Sequence, residues 1–245
     1  MIKNFGILLV TIMLFLTKTC FGQLKSDIEK QNKKGNAVFL VVTDGENDLA
    51  TTKEIALSAK KLYPKSAVFT MDKSNKANAE LIKNYRLNGS PTPLILVIAS
   101  NGVVSGGFYK NQATPEKLVA SIPTKKQAEA ILAFSQNKPV MIVLSKKTML
   151  DKTKALEECK KATTALNNNA VVVDVDLDDK AEDSFIKLLN ADLMTSKTNI
   201  LVYNNKGQFS SKFEAPFQSD ALVTAAKKAP SGGCCSGGSS KGCGK

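Results

Sequence analysis

The residues best equipped for chemistry lie at the end of the 245-residue chain, in Ser231–Lys245 (SGGCCSGGSSKGCGK). Cys234 and Cys235 are adjacent, and Cys243 follows them closely. Thiolates are soft ligands, so three of them on a glycine- and serine-rich segment could wrap Cu(I), Zn(II) or a heavier thiophilic ion. In an oxidising compartment the same thiols could instead form disulfides. Their spacing includes no Cys-x-x-Cys, which leaves metal binding, disulfide exchange and simple attachment open. A segment so poor in apolar side chains cannot build a core and is predicted as a flexible extension. Cys159 stands apart in Glu157-Glu158-Cys159-Lys160-Lys161. Two glutamates precede it on a predicted helix interior, away from a helix N-terminus, so an inert or half-buried thiol is expected.

A second constellation is Asp174, Asp176 and Asp178, which alternate with Val173, Val175 and Leu177 and so share one face of an extended segment. Convergent carboxylates suit a hard cation such as calcium or magnesium. Against that, no glycine stands at a loop-forming offset. Asp178 and Asp179 directly precede a predicted helix at Ala181, where acids favour the N-terminal dipole. Capping and solvation are the expected roles. Histidine is absent from the chain. That absence removes Ser-His-Asp and Cys-His nucleophilic catalysis, histidine-ligated metals and a histidine pH switch.

These residues sit on a chain with a leader at its front. Lys3, the apolar run Phe5–Leu16 and Cys20-Phe21-Gly22 form the n-region, h-region and cleavage site of a secretory signal over residues 1–22. The run is too short to span a bilayer, so no transmembrane segment is expected in the mature chain. Lipidation of Cys20 is the lesser alternative, since Thr17, Lys18 and Thr19 do not resemble a lipobox. An exported protein, periplasmic or extracellular, follows. The formal charge of +12 is carried by lysines spread along the length, with Arg86 the sole arginine and no tryptophan. Nucleic-acid recognition needs arginine forks or aromatic platforms in a cluster, so no nucleic-acid partner is expected.

The elements that must position these groups begin with Asn88–Phe108 (NGSPTPLILVIASNGVVSGGF). Leu94–Ala99 is an apolar run of strand length with Pro93 at its head, the pattern of a strand buried on both faces. Asn101-Gly102 predicts a type I′ hairpin into Val103–Phe108. Upstream, Ala37–Thr43 and Ala67–Met71 read as strands, and Leu49–Leu62 and Ala77–Tyr85 as helices. Thr114-Pro115 opens another helix. The order Thr92-Pro93, apolar strand, Asn-Gly turn, strand and helix resembles the C-terminal half of a thioredoxin domain. The resemblance implies a cis Thr92–Pro93 bond facing the redox centre. Where that family carries Cys-x-x-Cys, this chain reads Asp44-Gly45-Glu46-Asn47-Asp48-Leu49 and holds no cysteine.

The pattern then repeats. Lys138–Leu144 echoes Asn36–Val42, and Ile200–Gly207 echoes Ile95–Gly102, at nearly one offset. Between them fall predicted helices at Thr153–Leu166 and Ala181–Leu189 and a strand at Ala170–Val175, with a last helix at Ser219–Lys228. Thr198 aligns with Pro93, so the second unit is expected to have lost the cis-proline. The fold class expected is α/β, with two consecutive thioredoxin-like domains over 23–123 and 124–230, each a mixed central sheet flanked by helices, and a tail over 231–245. No catalytic or cofactor-binding residue is assigned within them. The function expected is a secreted or periplasmic, non-catalytic binding or scaffolding protein with a protein partner. A thiol-disulfide oxidoreductase or thiol carrier working through the tail, and a soft-metal-binding protein using Cys234, Cys235 and Cys243, remain the alternatives.

Overall fold

A run of seven buried residues, Ala37–Thr43, makes strand β1 the axis of the first unit. Its side chains alternate between two cores. Val38, Leu40 and Val42 enter one with Ile28, Leu81 and Leu96, while Phe39 and Val41 enter the other with Ala56, Ile95 and Leu118. Each such side chain stabilises the fold by about 1.5–3 kcal/mol relative to exposure, which only a strand covered on both faces can gain twice over. The computed structural model describes residues 23–45 and 49–229. The signal segment with Cys20, positions 46–48 and the tail with Cys234, Cys235 and Cys243 lie outside the described residues.

The first unit runs α1 (Gln23–Lys33), β1, α2 (Leu49–Leu62), β2 (Ser66–Asp72), a 3-10 turn (Lys76–Asn78), α3 (Ala79–Asn84), β3 (Leu94–Ile98), β4 (Val104–Tyr109) and α4 (Pro115–Ala120). The second repeats it with α5 (Lys125–Ser135), β5 (Val140–Ser145), α6 (Lys152–Ala165), β6 (Val171–Asp176), a 3-10 turn (Lys180–Glu182), α7 (Asp183–Leu188), β7 (Asn199–Tyr203), β8 (Phe209–Phe213) and α8 (Ser219–Lys227). The two compact units divide between Ile122 and Pro123. Their sheets have the orders β2-β1-β3-β4 and β6-β5-β7-β8. In each, the first two strands are parallel and the remaining pairs antiparallel.

Helix spacing explains how the layers close. In α6, Ala155, Cys159 and Ala162 recur every third or fourth residue and are buried, so the helix meets the sheet along a stripe of small side chains. Thr114 and Thr124 cap α4 and α5 by accepting from the Lys117 and Gln127 amides.

The hairpin after β3 is not the expected type I′ turn. Of its central residues only Gly102 has a positive φ, at 85°. The Gly102 amide donates to the Ala99 carbonyl, and the register shifts by one residue at Val97/Ile98. This is a three-residue loop closed by a glycine bulge. Asn101 instead uses its side chain to accept from the Val103 amide, so it has no need of the left-handed region. Gly207 repeats the device between β7 and β8.

Candidate functional site

Thioredoxin-like topology brings the loop after the first strand of each unit to the residues that open the third. In the first unit that end holds Thr43, whose hydroxyl donates to the Gly45 carbonyl and accepts from the Gly45 amide. Opposite stands Pro93, preceded by a cis Thr92–Pro93 peptide. Lys73 Nζ donates to the Ser90 carbonyl at 2.7 Å and ties down the loop leading to it. The described part of this end contains no thiol.

In the second unit Thr198 occupies the place of Pro93, immediately ahead of β7. It is fully buried. Unlike proline it carries an N–H, and Asp151, the residue before α6, accepts from both of its donors. The Thr198 hydroxyl lies 2.6 Å from Asp151 Oδ1 and its amide 3.3 Å from Oδ2. The Met149 sulfur accepts from the Lys146 amide at 3.2 Å and lies 3.6 Å from the same hydroxyl. A shallow pocket of about 460 Å³ opens beside this cluster, bounded by Lys146, Thr148, Leu150, Thr195 and Ser196. Leu150, at 99% exposure, projects beyond it. The carboxylate is committed to structure, each of its oxygens accepting from Thr198. A cis bond does occur in this unit, at Ala215–Pro216 between β8 and α8. The expected loss therefore holds for the Thr198 position and not for the unit, because surroundings rather than the Ala-Pro pair select the isomer.

Cys159 is fully buried on α6, and it is the free cysteine among the described residues. Burial first, and then the neighbouring Glu158 charge, push its thiol up to about 12. It is protonated at neutral pH and cannot act as a nucleophile. Glu158 has a structural task that the sequence did not reveal. Its Oε1 accepts from Lys161 at 2.8 Å and pairs with Lys154 at 3.2 Å, while Oε2 accepts from the Ser219 amide at the first turn of α8. Lys161 foremost, then Lys154, hold this carboxyl down to about 2, with the Ser219 amide adding to them against the cost of burial.

The alternating aspartates do not converge. Asp174, Asp176 and Asp178 pair separately with Lys152, Lys147 and Lys146. Asp176 also accepts from the Asp178 amide, and Asp179 caps the 3-10 turn through the Ala181 amide. No group of three metal-ligating side chains occurs among the described residues. Asp179 thus caps the turn as its position suggested, while Asp174, Asp176 and Asp178 are taken up by ion pairs. Cys234, Cys235 and Cys243 lie outside the described residues.

No family model matches the chain, and no curated protein does. Among solved structures it is similar to the first two thioredoxin domains of Saccharomyces cerevisiae Eps1p, at 11% identity over 83% of this chain and 96% of that one, with a TM-score of 0.31. The N-terminal NTD_N/C domain of alkylhydroperoxide reductase AhpF from Enterococcus faecalis shares 13% identity over 83% and 98% of the two chains, at a TM-score of 0.26. The zinc-bound form of human ERp44 shares 12% over 81% of this chain and 57% of that one, at 0.36. The chain's own strand order rests on none of these likenesses. With its parallel first pair, its antiparallel hairpin and helices on both faces, it makes the protein two consecutive thioredoxin-like domains.

Proposed function

We propose that this chain is an exported, non-catalytic binding or scaffolding protein whose folded units hold a partner and whose thiols reside in the tail. The observation that carries this reading is the fate of the one cysteine in the two folded units. Residues 23–230 contain only Cys159. A lone thiol cannot form the intramolecular disulfide that releases a mixed-disulfide substrate, and this one is buried and protonated. At the sheet end of the second unit, Asp151 and Thr198 spend their polar atoms on each other. The test is insulin reduction by the wild-type full-length protein, with Cys234, Cys235 and Cys243 all changed to serine as the control. Both proteins should be inert; turnover by the wild type alone would move the chemistry to the tail, and turnover by both would place it in the folded units, either result overturning the reading.

A second reading comes from the tail. Cys234, Cys235 and Cys243 form a soft-ligand set that could carry Cu(I) or Zn(II), or exchange disulfides with a partner. Thiolate ligation releases protons, so metal affinity would rise with pH through the thiol range, near an ordinary pKa of about 8.5. Titrating reduced protein with each ion while following thiol reactivity separates the two uses. Stoichiometric protection of the three tail cysteines supports metal binding, and unchanged reactivity at micromolar ion rejects it.

A further inference from the structure

In sequence the lysines are spread along the chain, but folding gathers five of them at one end of the first unit. β1 and β2 are parallel, and the Ala37 amide donates to the Lys65 carbonyl, so the segments leading into the two strands lie side by side. One segment brings Lys33 and Lys34 from the end of α1, and the other brings Lys60 and Lys61 from the last turn of α2, followed by Lys65. α1 packs on one face of the sheet and α2 on the other, so the lysines flank the sheet end on both sides. The β3–β4 hairpin closes the same end, where a Cβ on Gly102 would lie 3.3 Å from Asn32 Nδ2. All five lysines are exposed, and none forms an ion pair with a described residue. Residues 30–37, 59–66 and 98–104, which build this end, contain no aspartate or glutamate. Helix dipoles favour lysines in a last turn, but they do not require them, since α5 and α6 end with no basic residue there. The segments of the second unit that correspond to the two lysine-bearing ones, 132–139 and 162–170, hold Lys138 alone. Amid the lysines of the first unit stands Leu62, 57% exposed.

We propose that this end of the first unit docks reversibly on the surface of an anionic phospholipid bilayer, its lysines against the headgroups and Leu62 at the boundary with the acyl chains. Charge complementarity and residue type select this occupant. Five unpaired lysines without an intervening acid match the clusters of about 4–8 basic residues that anionic bilayers attract. Lysine is a point charge suited to a diffuse negative surface, whereas paired recognition of single phosphates or bases favours arginine forks, and this end has no arginine. Lysine is also depleted in protein–protein interfaces, which argues against a folded acidic partner. Stable residence at a bilayer takes two signals, and the exposed aliphatic side chain of Leu62 adds an apolar one to the charge. β1 runs from the lysine end to Thr43, so docking would turn the Pro93 end of the unit away from the lipid.

The test is vesicle sedimentation of the chain from Gln23 onward, which keeps every described residue and leaves off the leader, whose own apolar run would bind lipid. Vesicles of phosphatidylcholine carrying about one-third phosphatidylglycerol should bind it, and vesicles of phosphatidylcholine alone should not. Binding should fall steeply as salt is raised. Each lysine near such a surface is worth a factor of about five, so changing Lys33, Lys34, Lys60, Lys61 and Lys65 together to glutamine should weaken binding by about a hundredfold or more. Lys61→Glu alone, with the other four in place, should weaken it by about tenfold or more. The control changes Lys160, Lys180, Lys187, Lys206 and Lys227, exposed lysines of the second unit, to glutamine, which gives the same net charge. It should lose no more than about threefold, through the weaker long-range attraction alone. Leu62→Ser should weaken binding severalfold without changing its dependence on salt, a split that a purely electrostatic contact would not show. Equal losses in the two five-lysine variants would overturn the face in favour of net charge, and failure to bind the anionic vesicles would overturn the proposal outright. Binding to heparin as tight as to the vesicles, and indifferent to Leu62→Ser, would assign the lysines to a soluble polyanion instead. None of these outcomes bears on insulin turnover, so the docking face and the non-catalytic reading fail separately.

Discussion

Asp151 and Thr198 are 47 residues apart in sequence and joined by two hydrogen bonds, one of them at 2.6 Å to a hydroxyl on a fully buried residue. Thr198→Val keeps the shape and removes only the hydroxyl. A hydrogen bond to a charged group is worth about 1.5–3 kcal/mol, so the second unit should lose about 2 kcal/mol. Asp151→Ala leaves both buried donors of Thr198 without their carboxylate and should cost about 3 kcal/mol. The two losses share one interaction, so the double variant should fall short of their sum by about 1–2 kcal/mol. Hydrogen exchange at the β5 and β7 amides is the right assay, because these central strands report opening of the second unit separately from the first. A loss of 2 kcal/mol appears there as exchange roughly 30-fold faster. Additivity of the two substitutions within about 0.5 kcal/mol would refute the bond and the account of how Thr198 replaces proline.

Further expectations follow from the buried groups. Cys159 should resist a thiol reagent in the native state at pH 8 and react on unfolding; rapid native reaction would contradict its burial. Because its folded pKa is raised to about 12, its contribution is fully present below the unfolded value and is lost as pH rises toward 12, so alkaline melting should be steeper for the wild type than for Cys159→Ala. Glu158 has the opposite sign. Its stabilisation is present above the ordinary glutamate pKa and is lost as pH falls toward 2, so the gap in melting temperature between wild type and Glu158→Gln should narrow on acidification, and a constant gap would count against the Lys161 and Lys154 pairing. In the first unit a Cβ on Gly106 would lie 3.0 Å from the Phe108 ring and 3.1 Å from Ser121 Cβ, so Gly106→Val should cost about 1–3 kcal/mol by urea denaturation.

Much of this architecture was legible in the sequence because it depends on local pattern. The apolar runs at Ala37–Thr43 and Leu94–Ile98 are strands that must be covered on both faces, and their echoes at Val140–Ser145 and Asn199–Tyr203 disclosed the second unit. Leu49–Leu62 and the Pro115 helix start are likewise where periodicity and capping put them. The absence of a dithiol from residues 23–230 is a fact of composition. What the sequence could not disclose depends on which residues meet across the fold. Nothing near Asp151 names Thr198 as its partner, nothing near Glu158 points to the start of α8, and the alternating aspartates gave no sign that each would take its own lysine. Asn199 sits in an apolar strand pattern, and only the paired sheet shows that its Oδ1 is buried without a partner beside exposed Leu188 and Phe209. A strand's hydrophobicity is set by its own residues, whereas the satisfaction of a buried polar atom depends on partners that the chain brings together only on folding.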